Sequence, residues 1–291
     1  MALQTSGQIS SSDVNLELGR ASNDPFDMNG TEERSLAGVP SSTISMSDFY
    51  GKSSLITITH TQNADIDSVS IHDIMGSPTM VANYVFVNNA IITRTDSTTN
   101  AGISTGVFPS GSTLTIVNKS YFRGAGGDGG DVEVGAQYLG EPGAPALKLE
   151  MDVTIDNSSG YFYGGGGGGG SDRITSYGSK GSSAGFGGGG GGGAGINGGS
   201  GGTSNGTTAE TTNSTDGTAS TGGNGGSATS NSGSAESNSV NRNGGDGGNP
   251  GQPGNSGNNA GGAAGRAIYL NGFSANITSG NVPYRLLGGV S

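Results

Sequence analysis

The sequence predicts a mainly β protein with polyglycine II. The expected order is an N-terminal segment of short helical turns over 1–54, a β-rich region over 55–163, a glycine-rich polyglycine II sandwich over 164–265, and a closing strand within 266–291. Three observations lead there. Glycine supplies 61 of the 291 residues, about a fifth against roughly 7% in ordinary proteins. Leu, Ile, Val and Phe together number 50, about 17%, below the roughly 20% at which a conventional core becomes doubtful. The apolar residues that remain are concentrated in short β-branched and aromatic runs upstream of the glycine tracts.

The N-terminal segment contains an echo. Ile9-Ser10-Ser11-Ser12-Asp13-Val14 and Ile44-Ser45-Met46-Ser47-Asp48-Phe49 share Ile-Ser-x-Ser-Asp followed by an apolar residue. In each copy a Ser stands three residues before an Asp, so its hydroxyl can cap a first helical turn while the carboxylate meets the positive end. A third turn is expected over Thr31–Pro40, stopped by Gly38 and Pro40. Turns this short need a surface to pack on.

Strands are expected at Leu55–Thr59, Tyr84–Val87 and Ala90–Thr93. Thr113–Gly124 then reappears loosely as Asp152–Gly164, each copy made of a strand, an aromatic cluster and glycine. A repeat of about 39 residues implies stacked layers that bury one another.

Residues 164–265 hold 39 of the glycines, with runs of seven at Gly164–Gly170 and Gly187–Gly193. A flexible coil is the plain alternative for such a tract. Against it, aromatic residues stand at the mouths of both runs (Tyr161, Phe162 and Tyr163; Phe186), and the strand Ala267–Leu270 must pair upstream. Gly245, Gly248, Gly251, Gly254 and Gly257 also fall every third residue around Pro250 and Pro253. Three residues per turn is the period of the polyproline II helix, in which seven residues span about 22 Å. That helix has no internal hydrogen bonds, so a packed bundle must pair each N–H and C=O with a neighbour, and glycine permits the close approach this needs.

Composition excludes several function classes. With 23 acidic against 12 basic side chains the net charge is −11, which disfavours nucleic acid. Cysteine is absent, so disulfides and thiolate metal sites are excluded. The opening residues lack a basic and apolar leader and no apolar run reaches 18 residues, so neither export by the usual route nor membrane insertion is expected. His60 and His72 have no nucleophile motif beside them, and Asp65 and Asp67 read as solvated turn residues. No catalysis and no cofactor are expected. Gly126–Asp131 fits the start of a calcium-binding nonapeptide around Asp128 and Asp131, but without tandem copies it reads as a glycine turn carrying solvated acids.

The opening Leu3–Val14, with Leu36–Pro40 and Ile44–Lys52, resembles the N-terminal signature of glycine-rich tail-fibre and virion structural proteins of tailed bacteriophages. Gly265–Gly272 and Leu287–Ser291 are similar to their closing segment. The glycine region is similar to the fibre-tip adhesins of T-even-like phages, whose tracts form a polyglycine II sandwich. The resemblance implies a virion location, attachment to other tail or fibre proteins through the N-terminal segment, and recognition of a host-surface glycan or outer-membrane protein. Ile9, Asp13, Val14, Ile44, Asp48 and Phe49 are the attachment candidates. The polar stretch 203–243 supplies the receptor candidates Thr211, Thr212, Asn213, Asp216, Asn231 and Glu236. It lacks the aromatic residues such adhesins often carry, so each contact would be weak and binding would rely on many copies. The alternative is a purely structural collar, baseplate or fibre component. A glycine-lattice ice-binding or silk-like protein is a third reading, which the N-terminal resemblance opposes.

Overall fold

A computed structural model describes residues 3–291 except 53, 55, 95–101, 133–138, 178–182, 189–192, 194, 196–197, 203–210 and 231–239. The chain divides into two compact units, one made of Met1–Ile58, Thr79–Asn83 and Pro109–Ser112, the other of Thr59–Pro78, Tyr84–Phe108 and Thr113–Ser291.

In the first unit the expected caps form. Helix Ser11–Glu17 starts with Ser10 Oγ accepting from the Asp13 N–H at 3.2 Å, while Asp13 Oδ2 accepts from the Ser10 N–H at 2.8 Å. The 3₁₀ turn Met46–Phe49 repeats the arrangement, with Asp48 Oδ2 accepting from the Ser45 N–H at 2.8 Å. Helix Thr31–Ala37 stops at Gly38, whose φ of 74° is the left-handed cap conformation that glycine adopts without a Cβ penalty. Leu3, Ile9, Val14, Leu36, Ala37, Ile44 and Phe49 bury one another, which supplies the packing that such short helices require.

The remaining strands stack into coils that contribute in turn to three sheets. The first sheet orders Thr57–Gln62, Asn83–Asn88, Thr113–Asn118, Val153–Asp156 and Ala275–Ser279. The second orders Ile66–Asp67, Ile91–Thr93, Tyr121–Arg123, Tyr161–Tyr163 and Leu286–Leu287. The third orders Ile103–Ser104, Leu147–Lys148 and Ile268–Tyr269, extended at its two edges by bridges to Ser70 and Val290. Ile116 opposes Ile155 in the first sheet, Phe122 opposes Phe162 in the second, and Leu147 lies between Ile103 and Ile268 in the third, all in parallel register. The core is therefore a narrow column of like side chains, which is how a chain poor in large apolar residues still buries them. Phe122 and Phe162 stack with centroids 4.8 Å apart.

Asparagine fixes the register. Asn88 Nδ2 donates to Asn118 Oδ1 at 2.9 Å, and Asn118 Nδ2 donates to Asn157 Oδ1 at 2.9 Å, all three side chains being fully buried. Asn118 and Asn157 are the 39-residue repeat seen in the sequence. Asn88 marks a further copy, Val87-Asn88-Asn89-Ala90-Ile91-Ile92-Thr93-Arg94, which the sequence reading took as strands without relating it to the repeat.

The glycine tracts leave the coils between the second and third sheets. One coil departs at Gly124 and returns at Ala146, and the next departs at Gly164 and returns at Ala267. The boundary expected at 163 consequently falls inside the second unit. The single closing strand expected in 266–291 is three strands, one for each sheet.

Around Gly164–Gly170 the backbone partners change with a period of three. The N–H groups of Gly167 and Gly170 donate to Gln252 and Asn255, and those of Gly165 and Gly168 donate to Ala144 and Glu141. The carbonyls of Gly164, Gly167 and Gly170 accept from Gly251, Gly248 and Gly245; those of Gly165 and Gly168 from Gly265 and Gly262; those of Gly166 and Gly169 from Gly127 and Gly130. All these bonds are 2.7–3.0 Å long. A Cβ on any of the seven would lie 1.7–2.1 Å from a neighbouring backbone oxygen. The glycine triplets downstream reverse at Asn249–Gln252, where Gly251 at φ 68° completes a turn closed by the Gln252 N–H on the Asn249 carbonyl at 2.8 Å.

The second glycine run differs from expectation at its start. Asp172–Tyr177 and Ser183–Gly188 form an antiparallel hairpin in which Gly187 and Gly188 oppose Arg173 and Asp172. The β-branched and aromatic residues between the runs give the backbone a strand alternative to the threefold pattern.

Three outcomes are expected. Gly168→Ala, which sets a Cβ 1.9 Å from the Asp128 carbonyl oxygen, lowers stability in chemical denaturation by at least about 3 kcal/mol, the upper end of ordinary overpacking. Asn118→Leu leaves Asn88 and Asn157 with unpaired buried amide groups and costs about 2–5 kcal/mol by the same measurement. Asp152 and Asp156 sit below the usual carboxylate range, the first chiefly by accepting from the Ser274 N–H, the second chiefly from the Ser279 hydroxyl. Because folding lowers both, their stabilisation is complete above the ordinary value of 3.8 and fades as pH falls through the lowered ones. Amide exchange of Ser274–Ser279 should accelerate on acidification through that window before exchange in Thr113–Asn118 does.

Candidate functional site

Two groups of strands are rooted on the glycine region. Hairpin Asp172–Tyr177/Ser183–Gly188 begins directly after Gly170 and Ser171. A three-stranded antiparallel sheet, Thr211–Thr212, Ser227–Ser230 and Val240–Asn243, has its base beside Gly226 and Gly244, which are joined by the Gly244 N–H on the Gly226 carbonyl at 2.9 Å. Both bases meet where the Gly245 N–H donates to the Gly170 carbonyl at 2.8 Å. Strand Ser183–Gly188 packs against Ser227–Ser230 and Val240–Asn243. The pairs Tyr177/Ser183 and Ser230/Val240 therefore stand at the far ends, about 17 and 10 Å from their bases at roughly 3.3 Å per residue.

Acidic side chains tie these roots together. Asp128 Oδ1 accepts from the Ser200 N–H at 2.6 Å, Asp216 Oδ1 from the Gly201 N–H at 2.8 Å, and Asp246 Oδ1 from the Gly225 N–H at 2.8 Å. Each carboxylate thus supplies an acceptor where a neighbouring glycine segment offers an N–H. Among the described residues no group of three or more His, Asp and Glu is placed to hold a metal ion. Asp128, named in the calcium motif, is engaged with backbone.

Of the receptor candidates, Thr211 and Thr212 form the first strand of the outer sheet, opposite Ala228 and Ser227. Asn213 is exposed, and exposed Asp216 is held by Gly201 as above. Asn231 and Glu236 lie outside the described residues. Of the attachment candidates, Ile9, Val14, Ile44 and Phe49 are interior to the N-terminal unit, and Asp13 and Asp48 close its caps. Side-chain hydrogen bonds and backbone N–H groups from Ser10 and Ser45 hold both carboxyls below the usual range. The imidazole of His60 stacks on Phe86 at 5.7 Å and that of His72 packs edge-on against Phe108 at 5.0 Å, while Asp65 Oδ1 accepts from the Ile91 N–H at 2.8 Å. These residues serve packing and turns.

The outer strands Ser227–Ser230 and Val240–Asn243 lie within the expected polar stretch 203–243, whose composition alone does not disclose them. A signal was available. Each is a short glycine-free run abutting a glycine pair, Gly225-Gly226 on one side and Gly244-Gly245 on the other, so the antiparallel partners leave and re-enter the tract at matching points.

Comparison with known proteins adds the family. In the crystal structure of the gp37–gp38 adhesin tip complex of the bacteriophage S16 long tail fibre, a chain is similar to this one with 21% identity, 98% of each chain covered and a TM-score of 0.48. No curated protein matches. The family model for phage tail fibre adhesin Gp38 matches residues 54–290, which takes in the stacked coils, the glycine tracts and both groups of outer strands. The chain belongs to the phage tail fibre adhesin Gp38 family.

Proposed function

We propose that this adhesin meets its receptor with the far ends of the strands rooted on the glycine region, and that the threefold-bonded tract beneath them is a polyglycine II lattice acting as a rigid mount. The observation that carries the reading is the common root at Gly170 and Gly245. Two sets of strands leave one backbone-bonded base, and the pairs Tyr177/Ser183 and Ser230/Val240 at their far ends are the parts offered to the receptor. The period-three exchange of partners around Gly164–Gly170 supports polyglycine II, because that helix turns each successive residue by a third of a revolution and, having no internal hydrogen bonds, pairs it with a neighbouring segment.

On this reading Thr211, Thr212, Asn213, Asp216, Asn231 and Glu236 contribute polar groups of the kind that bind glycan hydroxyls or the loops of an outer-membrane protein. The protein works by binding, without catalysis. The N-terminal segment, shaped from inside by Ile9, Val14, Ile44 and Phe49, joins other fibre proteins through its surface, where Leu16 and Tyr50 are exposed.

Phage carrying a deletion of Thr207–Ser239 separates presentation from assembly. Particles that assemble with this protein in place and no longer adsorb support the reading. Particles that lose the protein from the fibre support a scaffold role for the stretch, and unchanged adsorption rules out its contact with the receptor.

A further inference from the structure

The solvent face of the second sheet carries an aromatic and cationic cluster that neither the tip nor the attachment segment uses. Parallel register places Tyr121 beside Tyr161 and Arg123 beside Tyr163. The rings of Tyr121 and Tyr161 stack 4.9 Å apart at 12°, and Tyr163 closes a triangle edge-on to both, at 5.7 and 5.5 Å. Arg123 lies 4.7 Å over the Tyr121 ring, and Arg285, from the last coil, lies 5.1 Å over that of Tyr161. Each guanidinium therefore covers a ring of the stacked pair. All five residues are half-buried.

The cluster is chemically incomplete. In a chain of net charge −11, neither guanidinium forms an ion pair with a carboxylate among the described residues. Arg285 donates to the Gly160 carbonyl at 3.1 Å, but Arg123 Nε is buried with no hydrogen-bond partner. Leaving a buried charged donor unpaired is costly. A recess of about 10 Å³, the room of one water-sized group, is lined by Arg123 and Tyr163 from the coils and by Gly195, Ala219 and Pro250 from the glycine region. Burial and the two neighbouring tyrosines push the Tyr163 phenol up, opposed by Arg123 and Arg285, so both cations act on the same hydroxyl.

We propose that Tyr121, Tyr161, Tyr163, Arg123 and Arg285 form a second binding site on the body of the adhesin, which takes a phosphate group carried on a saccharide. Arginine pairs with phosphate through a planar fork of donors, and half-buried tyrosines offer hydroxyls to sugar oxygens and ring edges to sugar C–H groups. The five side chains lie on the stacked coils, and the glycine region borders them at Gly195, Ala219 and Pro250.

Glucose 6-phosphate titrated into the full-length protein, followed by ligand-observed NMR and by the tyrosine emission that a chain without Trp reports cleanly, tests it. Binding is expected that weakens at least tenfold in Arg123→Gln and in Arg285→Gln and falls with added salt. Tyr163→Phe removes one hydroxyl and keeps the packing; it should weaken binding severalfold with an unchanged melting temperature. Sugar phosphate that binds no better than glucose, or equally well to the folded arginine variants, overturns the proposal. Inorganic phosphate binding as tightly as glucose 6-phosphate overturns the saccharide assignment.

Discussion

Close lateral approach of backbone to backbone is the constraint on which the glycine half of this adhesin depends. At Gly164–Gly170 every residue faces a neighbouring main chain, and the space a Cβ would need is already filled by a carbonyl oxygen. Ordering glycine is entropically expensive, on the order of 1–2 kcal/mol per residue. What offsets it is a main chain whose carbonyls each accept from another segment, with five segments (127–130, 141–144, 245–251, 252–255 and 262–265) gathered around one run. A lone tract has no such neighbours, which is why the same composition in a linker stays flexible.

The coils make that gathering possible. A tract that leaves after Tyr163 and returns before Ile268 begins and ends on strands held in parallel register, and the shorter excursion from Gly124 to Ala146 is fixed by the same sheets one layer away. Both ends of each tract are therefore held by paired strands, which lowers the cost of closing long loops. The asparagine ladder has a matching role on the coil side. Buried amides that pair with one another and with adjacent backbone make a slip of one residue expensive, whereas the flat row of Ile and Phe would tolerate it better.

The same logic explains how a protein with few large apolar side chains holds its outer strands. Rigidity is obtained from hydrogen bonds and close packing rather than core volume, so side chains can be reserved for the surface. Acidic residues within the tracts, Asp128, Asp216 and Asp246, fill acceptor positions toward neighbouring N–H groups, and the hairpins rise from there.

The sequence by itself determined what is local or repeated. Ser10 with Asp13 and Ser45 with Asp48 fix their caps through contacts three residues apart, Gly38 ends its helix, and the Asn118/Asn157 repeat discloses stacked layers, since each of these needs only neighbours in the chain or a copy of the same motif. Other features were decided by tertiary structure: the interleaving of tracts with coils, the division of 266–291 among three sheets, the outer strands hidden in a polar stretch, and the placing of Arg123 and Arg285 over one stacked pair of tyrosines. A glycine carries no side chain to say which neighbour it will bond, so its partners follow from where distant strands hold the two ends of its tract.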